Sequence, residues 1–165
     1  MPIKIIAPNN GHQDIFLSAA KNSKALHTSW VKAPKTKKEF ARYLDNADKD
    51  NHQYFLIFSN NNLAGVVNIS EIVLGNFRSA YLGYYAFSPY SGKGIMYEGL
   101  RLAINYSFKD FKLHRLEANI QPENKKSIVF VKRLGFNKEG YSRRYLKVNG
   151  KWKDQERWAL LKEDW

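Results

Sequence analysis

Apolar residues fall into short blocks along this chain, and the spacing within each block says what it builds. Residues 80–87 (AYLGYYAF) are aromatic and aliphatic almost without interruption, the pattern of a buried strand. The helix entered from Gly92, with its periodic part over residues 97–108, places Ile95, Gly99, Leu102, Ala103 and Tyr106 on one side at core spacing. Before these, residues 3–7 form a short strand ended by Pro8 and the turn signal Asn9-Asn10-Gly11. Residues 14–24 and 37–48 predict helices, and Thr36 ahead of Glu39 has the form of a capping box. Strands over 53–59 and 63–70 are joined by Asn60-Asn61-Asn62 as a hairpin turn, and a loop containing Gly75 leads to the strand ending at Phe87.

Towards the C-terminus, residues 114–120 form a strand stopped by Pro122, and residues 124–134 a helix closed by Gly135. Residues 136–148 then pair with 151–161 across Asn149-Gly150, a two-residue hairpin turn. The order is strand, two helices, three antiparallel strands, helix, strand, helix, hairpin. That is an α+β pattern over residues 1–165, with no linker and no repeat.

The stretch with chemical content is Ser91-Gly92-Lys93-Gly94-Ile95-Met96, between a strand and a helix. Gly92 and Gly94 let backbone approach a ligand closely, and the unpaired amides of the helix start attract an anion such as a pyrophosphate. A plain tight turn is the alternative. The loop is neither a P-loop, since Lys93 is followed by Gly94, nor a dinucleotide fingerprint, since Tyr97 stands where the third glycine belongs.

Composition narrows the function classes. At 165 residues, 44% hydrophobic and 15% aromatic, the chain has material for one core. No apolar run approaches the roughly 18 residues of a membrane span, and Met1-Pro2-Ile3-Lys4 lacks a signal-peptide core, so a cytoplasmic protein is expected. The absence of cysteine fits that compartment and excludes a cysteine nucleophile, a disulfide frame and a thiolate metal site. His12, His27, His52 and His114 show no metal-ligand spacing, and no metal is expected. The net charge of +12 comes from lysines spread along the chain. It describes either a solvated, lysine-biased surface or attraction to a polyanion such as ribosomal RNA or a phosphorylated cofactor; nothing points to specific DNA.

The order of elements and the Gly92-Lys93-Gly94 loop resemble the GNAT N-acetyltransferases. Leu113-His114-Arg115-Leu116-Glu117-Ala118-Asn119, Pro122-Glu123-Asn124-Lys125-Lys126-Ser127, Arg133-Leu134-Gly135-Phe136 and Asn149-Gly150-Lys151-Trp152 resemble the RimJ/RimL branch, which acetylates protein N-termini. Residues 65–70 and 75–84 resemble its ribosomal-protein alanine acetyltransferases most. The resemblance is dense over residues 63–165 and weak before that.

It implies a GNAT fold, with a mixed, mostly antiparallel sheet of about seven strands, helices on both faces and a splay between strands four and five. It implies acetyl-CoA as co-substrate, held by the backbone of Ala86 and Phe87, by the amides of Gly92, Lys93, Gly94, Ile95 and Met96, and by Asn119 and Asn124. Asn124 has the alternative role of a helix N-cap. Ser127 resembles the proton donor of this branch, against an alternative as a first-turn helix residue, because the position that carries a tyrosine in many relatives is Val131. Where many relatives place a glutamate base stands Tyr81, and Glu71 is a substitute by position only. Trp30 and Tyr81 are candidates for the acceptor pocket, with Trp30 alternatively a core residue.

A missing base bears on the acceptor. An α-amine titrates near 7.7 to 8.0 and a lysine amine near 10.4, a difference of about 3.5 kcal/mol of deprotonation work. A protein N-terminus is therefore the expected acceptor, with a small amine such as a polyamine or an aminoglycoside as the second reading. A basic, ribosome- or RNA-associated module without turnover is a third.

Overall fold

The structure is a computed structural model and describes residues 2–165. Seven strands form one sheet: β1 (Ile3–Ile6), β2 (Gln53–Ser59), β3 (Asn62–Val73), β4 (Ser79–Ala86), β5 (Arg115–Ile120), β6 (Asn137–Val148) and β7 (Lys151–Leu161). They lie in the order β1-β2-β3-β4-β5-β7-β6. All neighbours pair antiparallel except β4 and β5. The helices are α1 (Gln13–Asn22), α2 (Lys24–His27), α3 (Lys37–Ala47), α4 (Ile95–Lys109) and α5 (Lys125–Arg133). This is the expected GNAT architecture.

Local chemistry places most of the element ends. Asn60 and Asn61 both adopt positive φ, 49° and 67°, which a two-residue hairpin turn requires and Asn tolerates. The turn is therefore two residues, and Asn62 already belongs to β3. Asn9-Asn10-Gly11 is not a free turn but the cap of a short 3₁₀ segment ahead of α1, with the Gly11 amide donating to Asn9 Oδ1 at 2.8 Å. At Thr36 the amide of Glu39 donates to Oγ1 at 3.1 Å, and Glu39 Oε2 accepts from the Lys35 amide, one residue earlier than a full capping box.

The expected helix over 14–24 stops at Asn22, and α2 continues as a separate turn. Ser23, fully buried, is the reason: its hydroxyl donates to the Ala19 carbonyl at 2.7 Å and accepts from the Ser88 amide at 2.9 Å. The chain is tied at that point to the segment after β4.

Two layers of helix cover the sheet. Side chains of Phe55, Ile57, Ile69, Leu82, Leu116 and Ala118 meet α4 and α5 on one face. Leu56, Phe58, Val66 and Phe87 meet α1 and α3 on the other, where Phe16 packs its ring within 5.0–5.4 Å of Phe40, Tyr43 and Phe87. Helix α4 buries Ile95, Gly99, Leu100, Ala103, Ile104, Ser107 and Phe108, whereas Leu102, expected in the core, is 38% exposed. At 100° per residue, Leu102 lies 60° from Gly99 but 160° from both Leu100 and Ile104, at the outer margin of the buried stripe.

Gly99 sets the depth of that helix. A Cβ there would stand 2.5 Å from Ile57 Cδ1. Gly99→Leu, which does not weaken helix propensity, is expected to destabilise by about 1–3 kcal/mol through overpacking, read as a lower Tm. Unchanged stability would show that α4 rides higher on β2 than this contact states.

Candidate active site

Strand β4 pairs with β5 only over Ser79–Tyr81 against Arg115–Glu117. Beyond that register the two strands diverge, although β4 continues to Ala86 and β5 to Ile120. The divergence opens a cleft of about 330 Å³ that crosses the sheet. Its walls are Leu82, Tyr84 and Tyr85 of β4, Ala118, Asn119 and Ile120 of β5, and Asn124 and Ser127 at the start of α5. Trp30, Val31 and Lys32, from the α2–α3 connection, and Leu146, Val148 and Gln155, from the β6–β7 hairpin, close one end. The hairpin tip is fastened there by Asn149 Nδ2, which donates to the Ser29 carbonyl at 3.4 Å. No Asp, Glu or His lines the cleft.

Backbone groups along β4 alternate in direction. The Phe87 amide donates to the Ala64 carbonyl of β3 at 2.8 Å, so the backbone of Phe87, Tyr85 and Gly83 faces β3 and that of Ala86, Tyr84 and Leu82 faces the splay. The Ala86 carbonyl is already engaged: His27 Nε2 donates to it at 2.7 Å. His27 is buried between the rings of Tyr85 and Phe87, and desolvation holds its pKa below the ordinary value, so the ring is neutral with its proton on Nε2. The Leu82 amide is taken by the last rung of the β4–β5 ladder, Tyr81 opposite Glu117, so open toward a ligand are the Leu82 carbonyl, the backbone of Tyr84 and the amide of Ala86.

At the far end of β4 the loop turns into α4. Gly92 and Gly94 sit at φ 76° and 79°, and a Cβ on either would meet nothing within 4 Å. Gly94 is the N-cap, and no side chain caps the helix start. The first-turn amides therefore lie under open space, beside the exposed side chain of Lys93. Met96 differs from its neighbours in this loop. Its Sδ fills the position where a Cβ on Gly65 would stand, so its side chain packs into the sheet and only its backbone faces outward.

Ser127 and Tyr84 meet across the cleft. Their hydroxyl oxygens are 2.5 Å apart, joined by a hydrogen bond from the first turn of α5 to the middle of β4. Burial pushes the Tyr84 phenol up to about 12, an effect the Ser127 bond only partly offsets. Either hydroxyl can donate in this bond, and with Tyr84 as the donor to Ser127 Oγ the serine proton is free to point into the cleft. Asn124 acts as the N-cap of α5, its Oδ1 accepting from the Ser127 amide at 3.4 Å, and lines the cleft as well. Val131, one turn further on, is fully buried in the core.

Of the residues that the sequence marks as candidates, Trp30, Asn119, Asn124 and Ser127 come together at the cleft, and the loop from Gly92 lies at the end of the same strand. Glu71 and Tyr81 do not line it. Glu71 is an exposed residue at φ 51°, beside the β3 bulge, with His52 Nε2 3.7 Å away. Tyr81 lies in the paired part of β4, opposite Glu117, and its hydroxyl bonds to that of Tyr145, which together with burial raises its pKa to about 12. Tyr84, Gln155 and His27 carry no mark in the sequence. Alternation places Tyr84 on the α5 side of the sheet, yet nothing in spacing says that Ser127 lies opposite.

A family model described as Acetyltransferase (GNAT) domain matches residues 5–137. The chain belongs to the GNAT acetyltransferase family. It is 42% identical over 114 residues to the [ribosomal protein uS5]-alanine N-acetyltransferase of Escherichia coli, a match that covers 68% of this chain and 59% of that one. It is 25% identical over 149 residues to the spermidine N(1)-acetyltransferase of Vibrio cholerae, covering 88% and 86%. The crystal structure of the ribosomal-protein-S5-alanine acetyltransferase from Vibrio fischeri superposes with a TM-score of 0.85 at 25% identity, over 99% of this chain and 94% of that one. This acetyltransferase is thus an N-acetyltransferase by family. Among its described residues, no group of three His, Asp or Glu is placed to hold a metal ion, and no helix is long and apolar enough to cross a membrane.

Proposed function

We propose that this N-acetyltransferase transfers the acetyl group of acetyl-CoA to the α-amine of a protein N-terminus, by direct transfer with both substrates bound. The observation that carries the choice of acceptor is the lining of the cleft, which holds no carboxylate and no imidazole. A cationic polyamine or a lysine side chain, titrating near 10, would need both a base to neutralise it and an acidic wall to hold it. An α-amine, with its pKa near 7.7 to 8.0, is substantially neutral at working pH without help. The 42% identity to a ribosomal-protein alanine acetyltransferase supports the same reading.

Residues of the cleft and of the loop at its end suit acetyl-CoA. The uncapped amides from Gly94 to Met96 and the open space above Gly92 and Gly94 suit its pyrophosphate, with Lys93 adding charge from the rim. The free Leu82 carbonyl, Tyr84 backbone and Ala86 amide suit the amide groups of its pantetheine arm, as an extended peptide adds to a sheet edge. Asn119 and Asn124 offer side-chain amides on the opposite wall. As the amine nitrogen forms the new C–N bond and the C–S bond breaks, Ser127 donates to the sulfur. Tyr84 holds that hydroxyl in place and passes its proton to it; the amine nitrogen gives up its own proton to water and Tyr84 regains one from water, so that the amide and the free thiol are left.

With no carboxylate or imidazole in the cleft, the acceptor itself sets the pH profile. For a peptide beginning with Ala, log kcat/KM is expected to rise with a slope near one and to level off near pH 8. A lysine side chain, if accepted at all, would still be climbing at pH 9. Tyr84, titrating near 12, keeps its proton throughout this range. Levelling below pH 7, or a preference for internal lysine over the N-terminal amine, would show that a base acts in the cleft and would overturn this reading.

A further inference from the structure

We propose that the acceptor polypeptide carries acidic residues close behind its N-terminal amine, and that Lys32, Lys151 and Lys153 at the mouth of the cleft select them. The inference rests on the N-terminal acceptor proposed above and adds the chemistry of the acceptor's next few residues. Lys32 itself lines the cleft. Two independent register arguments bring in the other two. Side chains two apart on a strand share a face, so Lys153 and Lys151 lie on the same face of β7 as Gln155, which lines the cleft. Residues directly opposite on paired strands also share a face, and Lys153 and Lys151 stand opposite Leu146 and Val148, both lining residues.

All three lysines are exposed, and none forms a salt bridge among the described residues. The carboxylates of the neighbouring strands are engaged elsewhere. Glu117 accepts from Arg115 at 2.8 Å, Glu139 is bound by the same guanidinium, and Glu156 lies 3.6 Å from Lys138. Asp154 accepts from the Tyr141 hydroxyl at 2.5 Å and from the Arg144 amide at 2.9 Å. No ion pair among the described residues neutralises Lys32, Lys151 or Lys153. At about 3.3 Å per residue, Lys153 and Lys151 lie roughly 7 and 13 Å along β7 from the lining residue Gln155, so an extended chain whose first residue sits beside Gln155 brings its third to fifth residues past them.

The test uses three peptides with the same first two residues, Ala first, and acidic, neutral or basic residues at positions three to six. Acetylation is followed by mass at low and at high salt. Acidic peptides are expected to exceed basic ones in kcat/KM by about tenfold, consistent with three exposed charge pairs, and the ratio should collapse at about 1 M salt. The double variant K151E/K153E should invert the order while CoA binding, measured by thermal shift, stays unchanged. Equal kcat/KM for the three peptides would overturn the acidic preference and leave the N-terminal reading standing. Acetylation of spermidine with none of any peptide would overturn both. Equal peptide rates together with RNA binding that K151E/K153E abolishes would assign the lysines to RNA and overturn the inference.

Discussion

Replacing Tyr84 with Phe is expected to lower kcat by ~10²- to 10⁴-fold and to leave the KM for acetyl-CoA within about twofold. The change removes one oxygen from a residue whose ring stays packed against Phe130, with centroids 5.3 Å apart, so the fold should persist. It deletes the partner 2.5 Å from Ser127 Oγ. Without it the serine rotates freely and has no proton source behind it. Ser127→Ala should cost a similar factor. The double variant should be no worse than either single one, because two groups that act as a unit fail together. Multiplying losses in the double variant would separate the two roles. Wild-type turnover in Ser127→Ala would return that residue to a simple place in the first turn of α5.

Gly94→Val is expected to raise the KM for acetyl-CoA by two orders of magnitude or more, with the protein still folded. Three features point the same way. The φ of 79° lies where a β-branched residue is strained by about 1–3 kcal/mol. No side chain caps α4, so its amides lack any partner from the chain when the anion is kept away. Nothing stands within 4 Å of the added Cβ, so the substituent projects into the volume a ligand would use and not into the core. Thermal shift separates the effects: the variant should keep a cooperative transition but lose the stabilisation of about 2.7 kcal/mol that saturating CoA at 100 times its Kd confers on the wild type. An unchanged KM would remove the pyrophosphate from this loop.

Much of the fold is legible along the chain, and particular residues show why. Strand and helix identities come from period and from turn chemistry, since Asn60-Asn61, Thr36, Asn124 and Asn149-Gly150 act on backbone within a few residues of themselves. Gly92 and Gly94 mark the open turn into α4 for the same reason. Ser23 does not announce the break between α1 and α2, because the cause is Ser88, 65 residues away. Spacing groups Leu102 with Gly99 and Ala103, but the buried stripe of α4 is centred further round, on Leu100, Ala103, Ile104 and Ser107, and leaves Leu102 outside.

The elements, their order, the GNAT resemblance and the absence of thiol chemistry are properties of local conformation or of composition, and the chain carries them without reference to its folded shape. Which groups share a cleft is settled by contacts between distant segments. Folding brings Ser127 to Tyr84 across 43 positions, keeps Glu71 and Tyr81 out of the site, engages the Ala86 carbonyl with His27, and sets Lys32 beside the β6–β7 hairpin. The site exists because β4 and β5 cease to pair after three residues. That divergence is a relation between β4 and β5, two strands separated in the chain by the whole of α4, and no local window contains it.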